Sequence, residues 1–207
     1  MQIQKVMVIG SGLMGSGIAQ VSAQAGCEVV LNDVSEQALD KAKNNIAWSV
    51  GKLVEKGKIQ DSQDAVMDRV QTSMHVEDGQ DADLVIEAVF EKLELKVEVF
   101  QKVDQVCSAK TLIASNTSSM PITNLAAETK RPEQVLGLHF FSPVPMMQAV
   151  EVISGISTTK ETAETGRQFV EQIGKDPIMV NRDVAGFVIN RINFPSTIEA
   201  MKLVEAG

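Results

Sequence analysis

Val6-Met7-Val8-Ile9-Gly10-Ser11-Gly12-Leu13-Met14-Gly15-Ser16-Gly17-Ile18-Ala19 is the stretch that decides the fold. An apolar run ends at Gly10. Gly12 and Gly15 follow at fixed spacing, and a helix-type pattern starts at once. This is G-x-G-x-x-G between a strand and a helix. Gly10 allows a tight turn out of the strand. Gly12 lacks a Cβ, so a pyrophosphate can approach the backbone. Gly15 lets the helix pack closely on the strand, and the helix N-terminus offers N–H groups to phosphates. Downstream, Glu28-Val29-Val30-Leu31-Asn32-Asp33 reads as a second strand ending in an acid. Asp33 stands 18 positions after Gly15, near the spacing at which a carboxylate holds both hydroxyls of an adenosine ribose. A carboxylate there repels a 2′-phosphate, so the predicted cofactor is NAD rather than NADP.

The bulk properties agree with a globular α/β protein. The chain has 207 residues, 44% of them hydrophobic, which suits one large domain or one domain with an appendage. A formal net charge of −8 opposes nucleic acid and anionic membranes as partners. No apolar run is long enough to span a bilayer, and no charged-then-apolar leader is read at the start. The only cysteines, Cys27 and Cys107, lack metal spacing. They read as reduced packing residues of a cytoplasmic protein, and no metal site is predicted.

Read in order, the first strand covers Lys5 to Ile9, and a helix runs from Leu13 to Ala25 with Gly26 closing it. Ser35 is the predicted N-cap of a long helix with apolar positions Leu39, Ala42, Ile46 and Val50, ending near Gly57. A short helix through Val66 and Met67 completes a helical hairpin over about 36–68, inserted into the strand–helix alternation. Strands are predicted at 70–74, 82–88, 111–115, 135–140, 150–153 and 177–180. Helices are predicted through Leu95 to Val106, near Pro121, and from Glu161 to Ile173. A last helix runs from Gly186 to the end, with Pro195 kinking it. The fold class is therefore α/β, a doubly wound Rossmann-type sheet with an inserted helical hairpin and a C-terminal connecting helix. Ligand sites belong at the carboxyl ends of its strands.

Two further stretches carry chemistry. Ser115-Asn116-Thr117-Ser118-Ser119 follows a strand directly and supplies small hydrogen-bonding groups to the crevice. Leu138-His139-Phe140-Phe141-Ser142-Pro143-Val144-Pro145 places a histidine in an apolar strand. Such a histidine is either a satisfied core residue or a general base tuned near neutral pH. Glu151, on the next strand, can accept from the imidazole and favours the second reading. His75 matches no motif and reads as a surface residue.

Together these residues resemble the NAD-binding domain of the L-3-hydroxyacyl-CoA dehydrogenases, especially the short 3-hydroxybutyryl-CoA dehydrogenases. The resemblance rests on Gly-Ser-Gly-Leu-Met-Gly at 10–15, Glu91 to Lys96, Ser-Asn-Thr-Ser-Ser at 115–119, His-Phe-Phe-Ser-Pro-Val-Pro at 139–145 and Gly-Phe-Val-Ile-Asn-Arg at 186–191. It implies His139 as catalytic base, Glu151 as its orienting carboxylate, and Ser118 and Asn190 as groups on the substrate's reacting oxygen. The cofactor set it implies is Gly10, Gly12, Leu13, Met14, Gly15, Asp33, Glu91, Lys96 and Ser118. Ser49 and Lys56, in the helical hairpin, match residues that touch the CoA nucleotide, so an acyl-CoA is the implied substrate. Ser115 and Ser119 are expected to support their loop.

Full-length members continue into a helical domain that covers the acyl group and makes a homodimer. The 207 residues end where that domain is expected to begin. The predicted division is 1–186 for the NAD-binding domain and 187–207 for a connecting helix that begins the missing part. Ile192, Phe194, Ile198 and Met201 are then expected in solvent. Two other readings stay open at this point. One is a non-catalytic NAD(H)- or CoA-binding domain. The other is a related β-hydroxyacid dehydrogenase, although the glycine-rich helix bearing that class's catalytic lysine is not seen.

Overall fold

The computed structural model describes residues 2–207. Its eight strands are β1 (Lys5–Ile9), β2 (Glu28–Asn32), β3 (Val70–Ser73), β4 (Leu84–Glu87), β5 (Leu112–Ser115), β6 (Val135–Phe140), β7 (Ala149–Ser154) and β8 (Asp176–Val180). They form one sheet in the order β3-β2-β1-β4-β5-β6-β7-β8. The first six strands are parallel, β7 runs antiparallel to β6, and β8 is parallel to β7. Among the described residues the α-helices are α1 (Leu13–Gln24), α2 (Glu36–Glu55), α3 (Gln63–Met67), α4 (Leu93–Val106), α5 (Ile122–Ala126), α6 (Lys160–Gln172) and α7 (Ile189–Ala206).

Strand alternation sorts the core into two layers. Val6 and Val8 of β1, Leu84 and Ile86 of β4, and Leu112 and Ala114 of β5 face a layer shared with α1, α2 and α6. Met7, Ile9, Val85 and Ile113 face the other, shared with α4 and α5. Both faces of the sheet are covered, which is why these strands read as unbroken apolar runs.

Local signals set several helix ends. Ser35 accepts from the Ala38 N–H at 3.2 Å, as its N-cap reading requires. Gly26, Gly57 and Gly174 follow helices with positive φ. The inserted hairpin of α2 and α3 is tied back to α1 by Arg69, whose guanidinium donates to Ala23 O at 3.0 Å and to Asp61 at 2.6 Å.

One expectation is corrected. The last helix starts at Ile189, not Gly186, because Gly186 (φ +79°) and Phe187 (φ +48°) form a left-handed turn before it. Pro195 lies inside α7 without ending it. The doubly wound sheet carries one antiparallel step, between β6 and β7. Only eight residues separate β6 from β7, too few for a crossover, so β7 must fold back antiparallel.

Candidate active site

The order β3-β2-β1-β4 reverses direction between β1 and β4, which opens a crevice at their carboxyl ends. The glycine turn sits on one side. Gly10 has φ +101°, and a Cβ there meets Ala88 O of the facing strand end at 2.6 Å. A Cβ on Gly15 lies 1.7 Å from Gly10 O, so only glycine lets α1 pack this close. Gly12 is different. A Cβ there meets nothing within 4 Å, and φ is −64°, so no protein contact or strain requires glycine. The open space belongs to whatever approaches the backbone at the α1 N-terminus.

Asp33, just past β2, is held facing this turn. Its Oδ2 accepts from the Ser11 N–H and hydroxyl, each at 2.8 Å, and its Oδ1 from the Ser35 N–H at 3.1 Å. Ser11 was not singled out by the sequence reading. Leu13 at the start of α1, and Val34 and Phe90 just past β2 and β4, stand exposed, and Met14 is half-buried beside Leu13. They offer apolar faces to flat rings. The glycine turn, the open space at Gly12 and the fixed carboxylate together fit a dinucleotide.

The second half of the crevice is built by β6, β7 and the start of α7. His139 and Glu151 are cross-strand partners in the β6–β7 register. His139 Nδ1 lies 2.6 Å from Glu151 Oε2. A carboxylate only accepts, so Nδ1 carries the hydrogen of this bond, and a proton taken up by the neutral ring goes to Nε2. The pair is buried, with His139 6% and Glu151 0% exposed. The imidazole packs against Phe141 and Phe187, at centroid distances of 4.6 and 5.7 Å. Glu151 Oε1 accepts from the N–H groups of Val188 and Ile189, both at 2.9 Å. Glu151 thus holds the histidine with one oxygen and the first turn of α7 with the other.

That turn carries Asn190, whose Nδ2 donates to Ser118 O at 3.1 Å. Ser118 N–H in turn donates to Glu91 at 3.1 Å. The structure therefore links His139, Glu151, Asn190, Ser118 and Glu91 in one network. The Ser118 hydroxyl makes no hydrogen bond to protein among the described residues and remains free for a ligand.

Glu91 is half-exposed and also accepts from Thr117 Oγ1 at 2.5 Å, Ser119 Oγ at 3.1 Å and Lys96 Nζ at 3.1 Å. Burial raises its carboxyl pKa, but the Thr117 hydroxyl, the Lys96 ammonium and the Ser118 N–H outweigh it, and the net shift is downward. Lys96 is 1% exposed and also pairs with the fully buried Glu87 at 2.7 Å. Its ammonium is engaged by two carboxylates beneath the crevice, so its influence on a ligand passes through Glu91. Glu87 accepts from Ser115 Oγ at 2.6 Å, and Ser115 Oγ from Thr117 N–H at 3.1 Å. Ser115 and Ser119 support the loop, as expected.

Sequence reasoning missed Ser11, Glu87 and Phe187. Phe187 had a signal in the Gly-Phe pair before the last helix. The others lie beside residues already chosen but carry no periodic mark. Ser49, half-buried, and Lys56, exposed at the α2 C-cap, lie on the hairpin outside this network. His75 is exposed and both thiols are buried and unpaired, as expected. A separate groove of about 670 Å³, lined by Thr123, Lys160 and Arg182 among others, holds none of these residues. Among the described residues no cluster of metal-ligating side chains occurs, and no helix is long and apolar enough to cross a membrane.

Fold and site together define a Rossmann-type dinucleotide-binding protein with a buried His–Glu pair at the cofactor crevice. Residues 5–184 match the family model described as 3-hydroxyacyl-CoA dehydrogenase, NAD binding domain. The chain belongs to that family and carries its NAD-binding domain. A Deinococcus radiodurans relative, "Probable 3-hydroxybutyryl-CoA dehydrogenase", is 45% identical over 203 residues, 98% of this chain and 73% of the relative. The Clostridioides difficile 3-hydroxybutyryl-CoA dehydrogenase is 43% identical over 98% of this chain and 72% of its own. The crystal structure of the Ralstonia eutropha (S)-3-hydroxybutyryl-CoA dehydrogenase superposes with a TM-score of 0.95 at 39% identity, covering 100% of this chain and 73% of that one.

Proposed function

We propose that this chain oxidises (S)-3-hydroxyacyl-CoA thioesters, short ones such as 3-hydroxybutanoyl-CoA, to 3-oxoacyl-CoA with NAD, and runs the reverse. The observation that carries this is the His139–Glu151 pair at 2.6 Å, linked through α7 to Asn190 and Ser118 beside the dinucleotide turn. The names of the relatives support the substrate class.

In this reading, Gly10, Gly12 and Gly15 with the α1 N-terminus hold the pyrophosphate, and Asp33 holds the adenosine ribose. Leu13 and Met14 border the rings, and Glu91, positioned by Lys96, faces the second ribose. Oxidised NAD bound there supplies the hydride acceptor. His139 Nε2 takes the proton of the 3-hydroxyl, while Glu151 keeps the ring oriented and stabilises the imidazolium formed. The Ser118 hydroxyl and the Asn190 amide hydrogen-bond the reacting oxygen and polarise it in the reductive direction. Ser49 and Lys56 take the nucleotide end of CoA. Oxidation releases one proton, so each unit of rising pH favours the ketone about tenfold.

The division at 186/187 is part of the proposal, supported by α7 having no buried residue. So are homodimer formation, supported by the exposed apolar side chains of α7, and a cytoplasmic location, supported by two unpaired thiols. The deciding experiment follows NADH oxidation by acetoacetyl-CoA in the wild-type chain and in His139→Gln. The expected result is NADH binding in both and turnover lower by roughly a thousandfold in the variant. Equal rates would sink the His139 assignment.

A further inference from the structure

The α2 helix turns Leu39, Ala42, Ile46 and Val50 into the core. Diametrically outside that stripe stands Trp48, 70% exposed. It is the only tryptophan of the chain, which has no tyrosine. A large aromatic ring left in water, on the solvent side of an amphipathic helix, adds nothing to the fold. Its surroundings are polar and sorted by charge. Lys41, Asn45, Lys52 and Lys56 lie at i−7, i−3, i+4 and i+8 on the flank that Ser49 shares, and all four are exposed. Asp40 and Glu55 lie on the opposite flank. Lys52 pairs with Glu55 at 2.8 Å, while Lys56 has no acidic partner among the described residues. In a chain of net charge −8, one side of this tryptophan is locally cationic.

A flat π-surface beside ammonium groups is complementary to a purine that carries phosphates. Coenzyme A ends in such a group, an adenosine phosphorylated at 3′ and 5′. Lys52 and Lys56 stand about 6 and 12 Å along the helix axis from Trp48, within the span of that nucleotide. We propose that Trp48 stacks on the adenine of the acyl-CoA substrate and that Lys52 joins the already assigned Lys56 at its phosphates. This rests on the acyl-CoA reading above and adds the residue that recognises the base.

The test uses the NAD-saturated chain, with Trp48 as its single indole reporter. Titration with CoA should change its emission saturably, and pantetheine, which lacks the nucleotide, should leave it unchanged. Dephospho-CoA should bind several-fold more weakly than CoA. By calorimetry, Trp48→Leu should weaken CoA binding roughly tenfold, and Trp48→Phe should restore most of it. Saturable CoA binding with silent emission, and full affinity in Trp48→Leu, overturns the proposal. The acyl-CoA reading is judged separately by acetoacetyl-pantetheine. Reduction of both thioesters with equal KM refutes Trp48 alone, whereas failure to bind or reduce either refutes both.

Discussion

Gly12 and Gly15 show how one motif holds two kinds of requirement. A Cβ on Gly15 runs into Gly10 O, whereas a Cβ on Gly12 meets open space. Gly15→Ala should therefore destabilise the fold by about 2–4 kcal/mol, seen in urea unfolding. Gly12→Ala should unfold within a degree or two of the wild type and yet lose most NAD affinity by calorimetry. A Gly12→Ala chain that binds NAD normally would remove the pyrophosphate from that position. Asp33 is similar in kind. Ser11 and Ser35 already satisfy part of its carboxylate, so Asp33→Ala should weaken NAD binding about tenfold and also loosen the turn. Burial pushes the thiols of Cys27 and Cys107 up to about 11. At neutral pH both should resist a thiol reagent until the protein is unfolded; rapid labelling of the native chain would contradict their burial.

Among the elements, the end of β4 carries more than its short apolar run suggests. Glu87 and Lys96 form a buried pair from which the loop after β5 is hung, through Ser115 and Thr117. Lys96→Met leaves Glu87 buried without its counter-charge and should cost about 3–5 kcal/mol in chemical denaturation. Glu91 adds a pH dependence. Its folded pKa lies below the unfolded value, so its contribution is complete above the ordinary carboxylate range and is lost as pH falls through the folded value. Glu91→Gln should flatten that part of the acid-unfolding curve, and an unaltered curve would show the carboxylate is not engaged. The parallel strands were legible because double-sided burial writes them as apolar runs. The direction of β7 was not read from composition, since Val150 to Ile153 looks alike either way. Its clue was the short connection from β6.

At the scale of the whole molecule, the chain spans 73% of the Deinococcus relative's length, and α7 packs on the rest of the chain only at its first turn. Ile192, Phe194, Ile198, Met201, Leu203 and Val204 are exposed along it. An isolated helix of this length with Pro195 inside is marginal in water. Removing residues 193–207 should lower the melting temperature by no more than a few degrees and leave NAD binding intact. Global unfolding on that deletion would show that α7 supports the core.

What the sequence by itself determined is local: the glycine turn, Asp33 at its spacing, the unbroken apolar strands and the Ser35 cap. Each of these depends on residues a few positions apart, where steric and periodic rules act directly. His139 and Glu151 could be nominated from chemistry, because only two histidines occur. The tertiary structure alone decided that Glu151 holds His139 with one oxygen and the start of α7 with the other. It also joined Asn190 to Ser118 across 72 positions and buried Lys96 between two carboxylates. Desolvation and long-range hydrogen bonds depend on what packs above a residue, and no spacing along the chain records that.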